Sequence, residues 1–521
     1  MQRQLDSREL FGLTVSIALH AALVMVLMIL FLASPPDPGG GFDLIATNSR
    51  LEELSDGNIL EATISSLDIS TSHDLIETDL TDDDLDWQLY EQLSMEGQIG
   101  ELEATREEAW QAGEGLPAVR GFQGRGGAFV PGGGVGGRTG GNRQRLQRIG
   151  ETSRASEEAV EAALAWVAAQ QSKDGGWNFS FELNDSLSSG TGLCRNSGTH
   201  GSRVAATSIS ILAFLGAGYT PERGKGGKYW RHLDRGVAWL LKHGVENRLD
   251  GSIDFRDGAQ GMYSQAIAVL ALSEAAAMTT DAKIKAHLQG RAQGGVNFII
   301  KAQDLQHTGG WRYTVKETPG DTSVTGWQLM ALKSAREAGL RVPKPTLYRA
   351  SDFLDLVQYD EGQQYRYTLE SELRTGYGRG PDSSKTCTAL GNLCRLYLGW
   401  VPGEPTLDGG VALLKAWGPL LGRRECNIYY AYVATLVLHH HDGNGWREWF
   451  TEVRDHLVAT QSKEGHESGS WYVPDYYSDA GGRLYNTALA VMILEVPYRY
   501  LPLYREQREE LPTEVPLLSS D

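Results

Sequence analysis

With 521 residues, 66 acidic against 48 basic side chains and a formal net charge of −18, the chain is long enough for two or three domains and has no basic excess to serve a nucleic acid. The charge is local: Leu51–Glu114 holds nineteen acids against the single Arg106, Gly115–Gly150 holds six arginines and no acid, and the rest is close to balanced. Four scattered cysteines exclude a disulfide scaffold or a CxxC metal site. Cys387 and Cys394 share one predicted helix, about 10 Å apart along its axis, too far to pair. Cys194 and Cys426 could pair with each other or with one of these.

Leu10–Ala33 is an almost unbroken apolar run of about 24 residues, long enough to cross a bilayer and too long for a signal-peptide core. Phe31 or Leu32 stands where a cleavage site wants a small residue, and Pro35 and Pro36 lie beyond, so the run reads as a retained transmembrane helix. Arg3 and Arg8 precede it and Asp37 and Asp43 follow, so the positive-inside rule keeps residues 1–9 in the cytoplasm. The expectation is a single-pass inner (cell) membrane protein whose main domain is extracytoplasmic, periplasmic if the cell is bacterial. Ser16 and His20, spaced i and i+4, share one face of this helix, and an ionisable residue in a bilayer points to a function there. The pair resembles the transmembrane segment of TonB-type energy transducers, which implies a membrane-protein partner. The plainer reading is a neutral histidine tolerated in the bilayer or bonded to another copy of the helix.

Residues 34–114 form an acidic linker and 115–150 a Gly/Arg-rich flexible one, because glycine at that density costs too much backbone entropy to order without a packing repeat. Aliphatic residues from Leu54 to Leu85 thread the acidic part and allow short helices or a segment that folds on a partner. Asp82-Asp83-Asp84-Leu85-Asp86 fits the DDxxD string of class I terpene synthases. Those acids must sit on a rigid helix facing an apolar cavity to hold Mg²⁺, whereas a solvated acidic run produces the string by chance.

From residue 151 to 505 the chain repeats itself. Trp166-Val167 leads to Gln171 and then Gly175-Gly176-Trp177; Phe298-Ile299 to Gln303 and Gly309-Gly310-Trp311; Phe353-Leu354 to Gln358, Gly362 and Tyr365. A copy without the first aromatic runs from His456-Leu457 to Gln461 and Gly469-Ser470-Trp471. Spaced self-similarity of this kind means units that bury their apolar faces only against neighbours. Helical periodicity pairs Glu157–Gln171 with Val204–Ala217, Tyr229–His243 with Met262–Met278, and Ile284–Gln303 with Asp321–Gly339. It then pairs Leu347–Gln358 with Ser384–Gly399, Leu407–Trp417 with Cys426–His439, and Trp446–Gln461 with Leu484–Val496. The second helix of each pair is small and aliphatic all round and belongs inside; the first is amphipathic and belongs outside. A disordered tail, 506–521, ends the chain.

The copies resemble the QW motifs of squalene-hopene and oxidosqualene cyclases, and the hairpin count is similar to the α/α toroid that those enzymes share with protein prenyltransferase β subunits. The resemblance implies an all-α fold, an (α/α)6 toroid of six helical hairpins; the apolar run and the composition after it place one transmembrane helix and a largely disordered linker ahead of that fold. It does not carry the chemistry over. A class II cyclase needs the DxDD acid, and this domain has none; Pro319-Gly320-Asp321-Thr322 offers one carboxylate in a position that suits a helix N-cap. Where prenyltransferases hold zinc with Asp-x-Cys and His-Thr-Cys, this chain reads Asp321-Thr322-Ser323 and Lys385-Thr386-Cys387, and an ammonium repels a cation. The Gly-Cys-Gly-Glu-Gln of thioester toroids is missing too. His439-His440-His441-Asp442 could bind metal, but consecutive residues at a helix end point apart. No metal and no cofactor is expected.

The loops entering the inner helices bring Trp311, Tyr313, Asp321, Tyr365, Tyr367, Asp382, Lys385, Trp471, Tyr472, Tyr476, Asp479 and Arg483 to one end. Aromatics with a few charges suit a lipid, a glycan or a protein ligand, although packing between repeats would use many of the same rings. The expected function is a membrane-anchored, non-catalytic binding module. One alternative is an isoprenoid cyclase-like enzyme with Asp321 or Asp382 as a non-standard acid. The other is a carbohydrate-active toroid with those two carboxylates facing each other.

Overall fold

The computed structural model describes Leu60, Arg138 and residues 140–181, 194–369, 383–441, 445–475 and 477–500. The apolar run with Ser16 and His20, Asp82–Asp86, Asp382, Tyr476 and the tail 506–521 lie outside the described residues. Among the described residues no helix is long and apolar enough to cross a membrane.

The described chain is mainly helical, with two short antiparallel hairpins, β1 (Val245–Glu246) with β2 (Ile253–Asp254) and β3 (Gln358–Tyr359) with β4 (Gln364–Tyr365). The amphipathic helices are α2 (Arg154–Ala169), α4 (Trp230–His243), α6 (Ala282–Ala302), α8 (Lys344–Val357), α10 (Pro405–Trp417) and α12 (Trp446–Thr460). Alternating with them are α3 (Arg203–Gly216), α5 (Gly261–Met278), α7 (Thr322–Glu337), α9 (Ser383–Tyr397), α11 (Ile428–His441) and α13 (Ser478–Arg499). Each starts and stops within a few residues of the span read from sequence, except that α13 begins earlier and bends at Gly482, whose φ is 61°. Burial follows the pattern: every residue of α3 from Val204 to Gly216 is buried, while α10 buries only Leu407, Gly410, Val411 and Leu414. These largely buried inner helices touch one another in a closed cycle, α3 to α5, α7, α9, α11, α13 and back to α3. Each amphipathic helix lies against one or two of them.

The repeated Gln-Gly-Trp phrase makes the joints. Trp177, Trp311 and Trp471 donate their indole N–H to Val167, Ile299 and Leu457, each at 2.8 Å, four residues before the glutamine. They thereby satisfy carbonyls at the open ends of α2, α6 and α12. Their backbone N–H groups donate to Thr207, Thr325 and Thr487 on the inner helices, at 2.9, 3.0 and 3.1 Å. The carboxamides of Gln171, Gln303 and Gln461 reach the next outer helix, donating to His232, Thr346 and Ala159 at 2.9, 2.9 and 2.8 Å. Gly175, Gly309 and Gly469 take positive φ there, and a Cβ would stand 2.7, 2.3 and 2.4 Å from the backbone oxygens of Arg235, Arg349 and Ala162. The joint from α12 to α2, which carries no covalent link between neighbours, is thus built like the internal ones. In the Tyr365 copy, buried Arg395 takes the indole's place and donates to the Tyr365 hydroxyl at 3.2 Å and to Gln358 at 3.1 Å.

Two further devices close the cycle. Near the start of α13, Arg483 donates its backbone N–H to the Asn196 carbonyl at 2.9 Å, and Thr199 and His200 donate to Ala480 at 3.0 and 2.9 Å. Gly198 and Gly482 allow this approach, since a Cβ on Gly482 would meet Gly198 N at 2.2 Å. At the other end, Arg138 inserts beneath α3, α5 and α13. Its Nη1 donates to Leu215 O at 3.2 Å and to Glu274 at 2.9 Å, and its Nε to Arg499 O at 3.4 Å. Arg499, wholly buried, donates to both Glu274 oxygens at 3.2 and 3.0 Å, to Glu495 at 3.0 Å and to Leu212 O at 2.9 Å. Guanidinium groups suit this end, where helix carbonyls carry the negative pole of the dipole. Downstream of Arg138, α1 (Gly140–Arg148) packs on α13, and its Arg143 pairs with Glu157 and donates to Ala217 O at 3.1 Å. This helix lies inside the segment that composition reads as flexible linker: Arg143 on partly buried Glu157, and Arg138 on buried Glu274, order a stretch that its glycine content alone would leave loose.

Candidate functional site

Hydrogen bonds join the starts of neighbouring inner helices, Tyr263 of α5 to Ser323 of α7 and Ile428 of α11 to Asp475 just ahead of α13, so these N-termini lie together at one end. Three carry a carboxylate on their free N–H groups: Asp257 accepts from Val204 at 2.8 Å, Asp321 from Val324 at 2.7 Å, and Asp475 from Ile428 at 3.0 Å. This is N-capping in part by residues remote in sequence.

Asp321 differs from the other two in being wholly buried. A cradle of backbone bonds sets its position. Its own N–H donates to Trp311 O at 2.8 Å, Thr322 N–H donates to Tyr367 O at 2.8 Å, and Thr368 donates its hydroxyl to Gly320 O at 3.0 Å. Gly320 lies so close to Gly310 that a Cβ would come within 2.9 Å of its Cα. One carboxyl oxygen caps α7; the other, Oδ2, is buried without a well-formed hydrogen bond, the Tyr367 hydroxyl standing beside it. Burial pushes the carboxyl up to about 7, against the opposing pull of the Val324 N–H, Arg312 and Tyr367.

Phenols surround it. The Tyr313 and Tyr367 hydroxyls are hydrogen-bonded to each other, and Tyr263 donates to Ser323 on α7 at 2.8 Å. Tyr429 comes to Ser323 from α11 and stacks on Trp327, ring centres 5.9 Å apart. Burial raises Tyr263, Tyr313 and Tyr367 above the usual phenol range, as does the neighbouring Asp321. Tyr263, Tyr313, Tyr367 and Tyr485 are each only half-buried, so this collar meets solvent above the buried acid. Cys387 on α9 lies near Asp321, and burial pushes its thiol up.

Other residues read from sequence as lining a cavity serve as structure. Trp311, Tyr365 and Trp471 are buried in the joints between repeats. Arg483 is occupied by Arg195 O, Ser462, Ser470 and Asn196, at 3.1, 3.2, 3.1 and 2.9 Å. Lys385 pairs with Glu425 and lies 5.9 Å from the Trp417 ring centre. Tyr472 is half-buried and donates to exposed Asp479 at 3.4 Å. Sequence reasoning did not single out Tyr263 or Tyr429 and met Ser323 only in the stretch compared with a zinc site; the three stand in the first turns of α5, α7 and α11. The three histidines diverge: His439 bonds Tyr500 O at 2.8 Å, His440 is wholly buried and held neutral, and His441 meets Asp408 at 2.8 Å. All four cysteines are free thiols, so the Cys194 and Cys426 pairings allowed by sequence are not made.

No family model matches the chain, and no curated protein does.

Proposed function

We propose that the chain is a membrane-tethered α/α toroid related to the squalene cyclases, displayed outside the cytoplasm, which binds a ligand at the N-terminal mouth of its inner helices. The closed cycle of helix contacts and the three shared Gln-Gly-Trp joints support the toroid. The apolar run Leu10–Ala33 supports the tether. The observation that carries the binding function is the half-buried tyrosine collar around a buried carboxyl whose Oδ2 lacks a well-formed hydrogen bond. Buried polar atoms without partners cost stability and are retained where they serve a purpose.

Asp321 as a proton donor is the second reading, favoured by its complete burial. Alkene protonation needs an unusually strong acid, and a carboxyl raised to about 7 is a weaker acid than an ordinary one, so binding is the better conclusion. Asp382, the partner that carbohydrate chemistry requires, lies outside the described residues.

The test is native mass spectrometry of the full chain from its own host, before and after organic extraction, for wild type and Tyr313→Phe/Tyr367→Phe. A small molecule retained by wild type, lost on extraction and reduced in the variant supports the mouth. A molecule retained equally by both places binding elsewhere, and a chain that never carries any mass refutes the proposal.

A further inference from the structure

The corner around Asp321 selects a kind of ligand. The Tyr313 and Tyr367 hydroxyls touch each other beside an Oδ2 that has no well-formed bond. A carboxyl shut away from water is more stable neutral than charged, and a neutral carboxyl donates a hydrogen bond. The bond between the two phenols uses one of their protons, so two donors, one phenol and the neutral carboxyl, remain at the N-terminus of α7, where the helix dipole favours a partially negative atom. Around them the rings of Tyr263, Tyr313, Tyr367 and Tyr485 are half-buried, and Trp327 and Tyr429 stack on each other in the core beside them. Donors gathered among rings fit a molecule that is apolar except for an acceptor oxygen.

Resting on the reading that the mouth binds a ligand, we propose that Asp321, Tyr313 and Tyr367 receive the carbonyl oxygen of a neutral ketone or quinone whose rings lie against the tyrosine collar. The groups facing Asp321 are Arg312 and Tyr313 ahead of α7, Tyr263 on α5, Tyr367 after β4 and Cys387 on α9. The phenols and the thiol are shifted upward and stay neutral, and the guanidinium stays charged, so near neutral pH Asp321 alone among them changes state. Ionised, it no longer donates and repels a carbonyl oxygen. Binding is then strong below neutrality and weak above it.

The experiment is equilibrium dialysis of the full chain, in one detergent, against menadione and against 2-methylnaphthalene, which has the same ring system without oxygens. At about pH 6 menadione binds wild type roughly tenfold tighter than at about pH 8.5. Asp321→Asn, whose amide still caps α7, flattens that dependence. Tyr313→Phe/Tyr367→Phe weakens menadione by roughly tenfold and leaves the hydrocarbon unchanged. If both compounds bind alike at both pH values, the mouth binds rings and the acceptor-oxygen assignment falls while the binding proposal stands. If wild type binds neither, yet retains a native molecule in the mass spectrum that the tyrosine variant loses, the carbonyl class is wrong. If nothing binds in either experiment, both proposals fail. The pH series on wild type decides the matter even where a variant does not fold.

Discussion

Replacing Arg138 with alanine removes the side chain that joins α3, α5 and α13 at the end of the cycle opposite the mouth. The loss comprises an ion pair to Glu274 at 2.9 Å and donation to Leu215 O at 3.2 Å, with a longer contact to Arg499 O at 3.4 Å. Glu274 is not left bare, because Arg499 still holds both its oxygens. The cost therefore falls below the 3–5 kcal/mol of a fully broken buried pair and nearer that of one or two charge-assisted hydrogen bonds, about 2–3 kcal/mol. At about 2.1 cal/mol/K of unfolding entropy per residue, the stretch from Arg138 to Tyr500 carries roughly 0.75 kcal/mol/K, so Tm drops by about 3–4 °C. Calorimetry measures that drop, and hydrogen exchange locates it: amides at the C-terminal ends of α3 and α13 exchange faster, while those in α7 and α9 do not. An unchanged Tm, or exchange that rises evenly around the cycle, would refute the clasp.

Two other outcomes follow from buried acids and close packing. Asp321 and Glu495 are both raised in the folded chain, to about 7 and about 8 from 3.8 and 4.5, chiefly by burial. The folded state then binds more protons than the unfolded one between those values, so stability falls as pH rises through this window, by up to about 1.4 kcal/mol per pH unit for each group. Thermal melts from pH 7 to 8.5, above the range in which unfolding lets buried His440 and the depressed His232 and His456 take up protons, should show a declining Tm, with a shallower decline in Asp321→Asn; a Tm that climbs contradicts the assignment. Gly216→Ala would set a methyl 1.8 Å from Glu495 Oε2 and 2.5 Å from Arg499 Nη1, both ion-paired and buried. Overpacking and a disturbed ion pair together cost about 3–5 kcal/mol, measurable by denaturant unfolding, and a neutral substitution would mean the region yields easily.

Helices were legible because their patterns are local. Alternation of apolar-all-round and one-sided segments gave six pairs, and the N-cap at Asp321 could be read from a single acid before an apolar run. Two joints stayed hidden. After α4 the capping group is Arg291, which donates to Leu241 O and Gly244 O, both at 3.1 Å, from the following outer helix. After α10 it is the Tyr430 hydroxyl, bonded to Gly418 O at 3.1 Å. Neither has a fixed spacing that repetition could reveal. Trp311 and Trp471 were assigned to a cavity because aromatics near a loop suit either role; the recurrence of tryptophan at one spacing was the available sign that they belong to the joints. Arg138, Glu274, Glu495 and Arg499 look like surface charges in sequence, since what buries each is a partner more than a hundred residues away, or a helix whose inward face shows only in three dimensions. The unsatisfied oxygen of Asp321 has no sequence signature at all.

The last outer helix meets the first through the same glutamine, glycine and tryptophan contacts that join covalently linked neighbours. Where the backbone happens to be cut is then of little consequence to the packing. A circular permutant that fuses the present ends of the helical region and opens the β1–β2 turn at Leu249, 97% exposed, keeps every one of these joints. The order of the hairpins along the gene is in that sense arbitrary, and an ancestor that began at another hairpin would have folded to the same set of contacts. Arg138 is the exception: it reaches the cycle from a segment that precedes the first hairpin, and a permutant must carry that segment along.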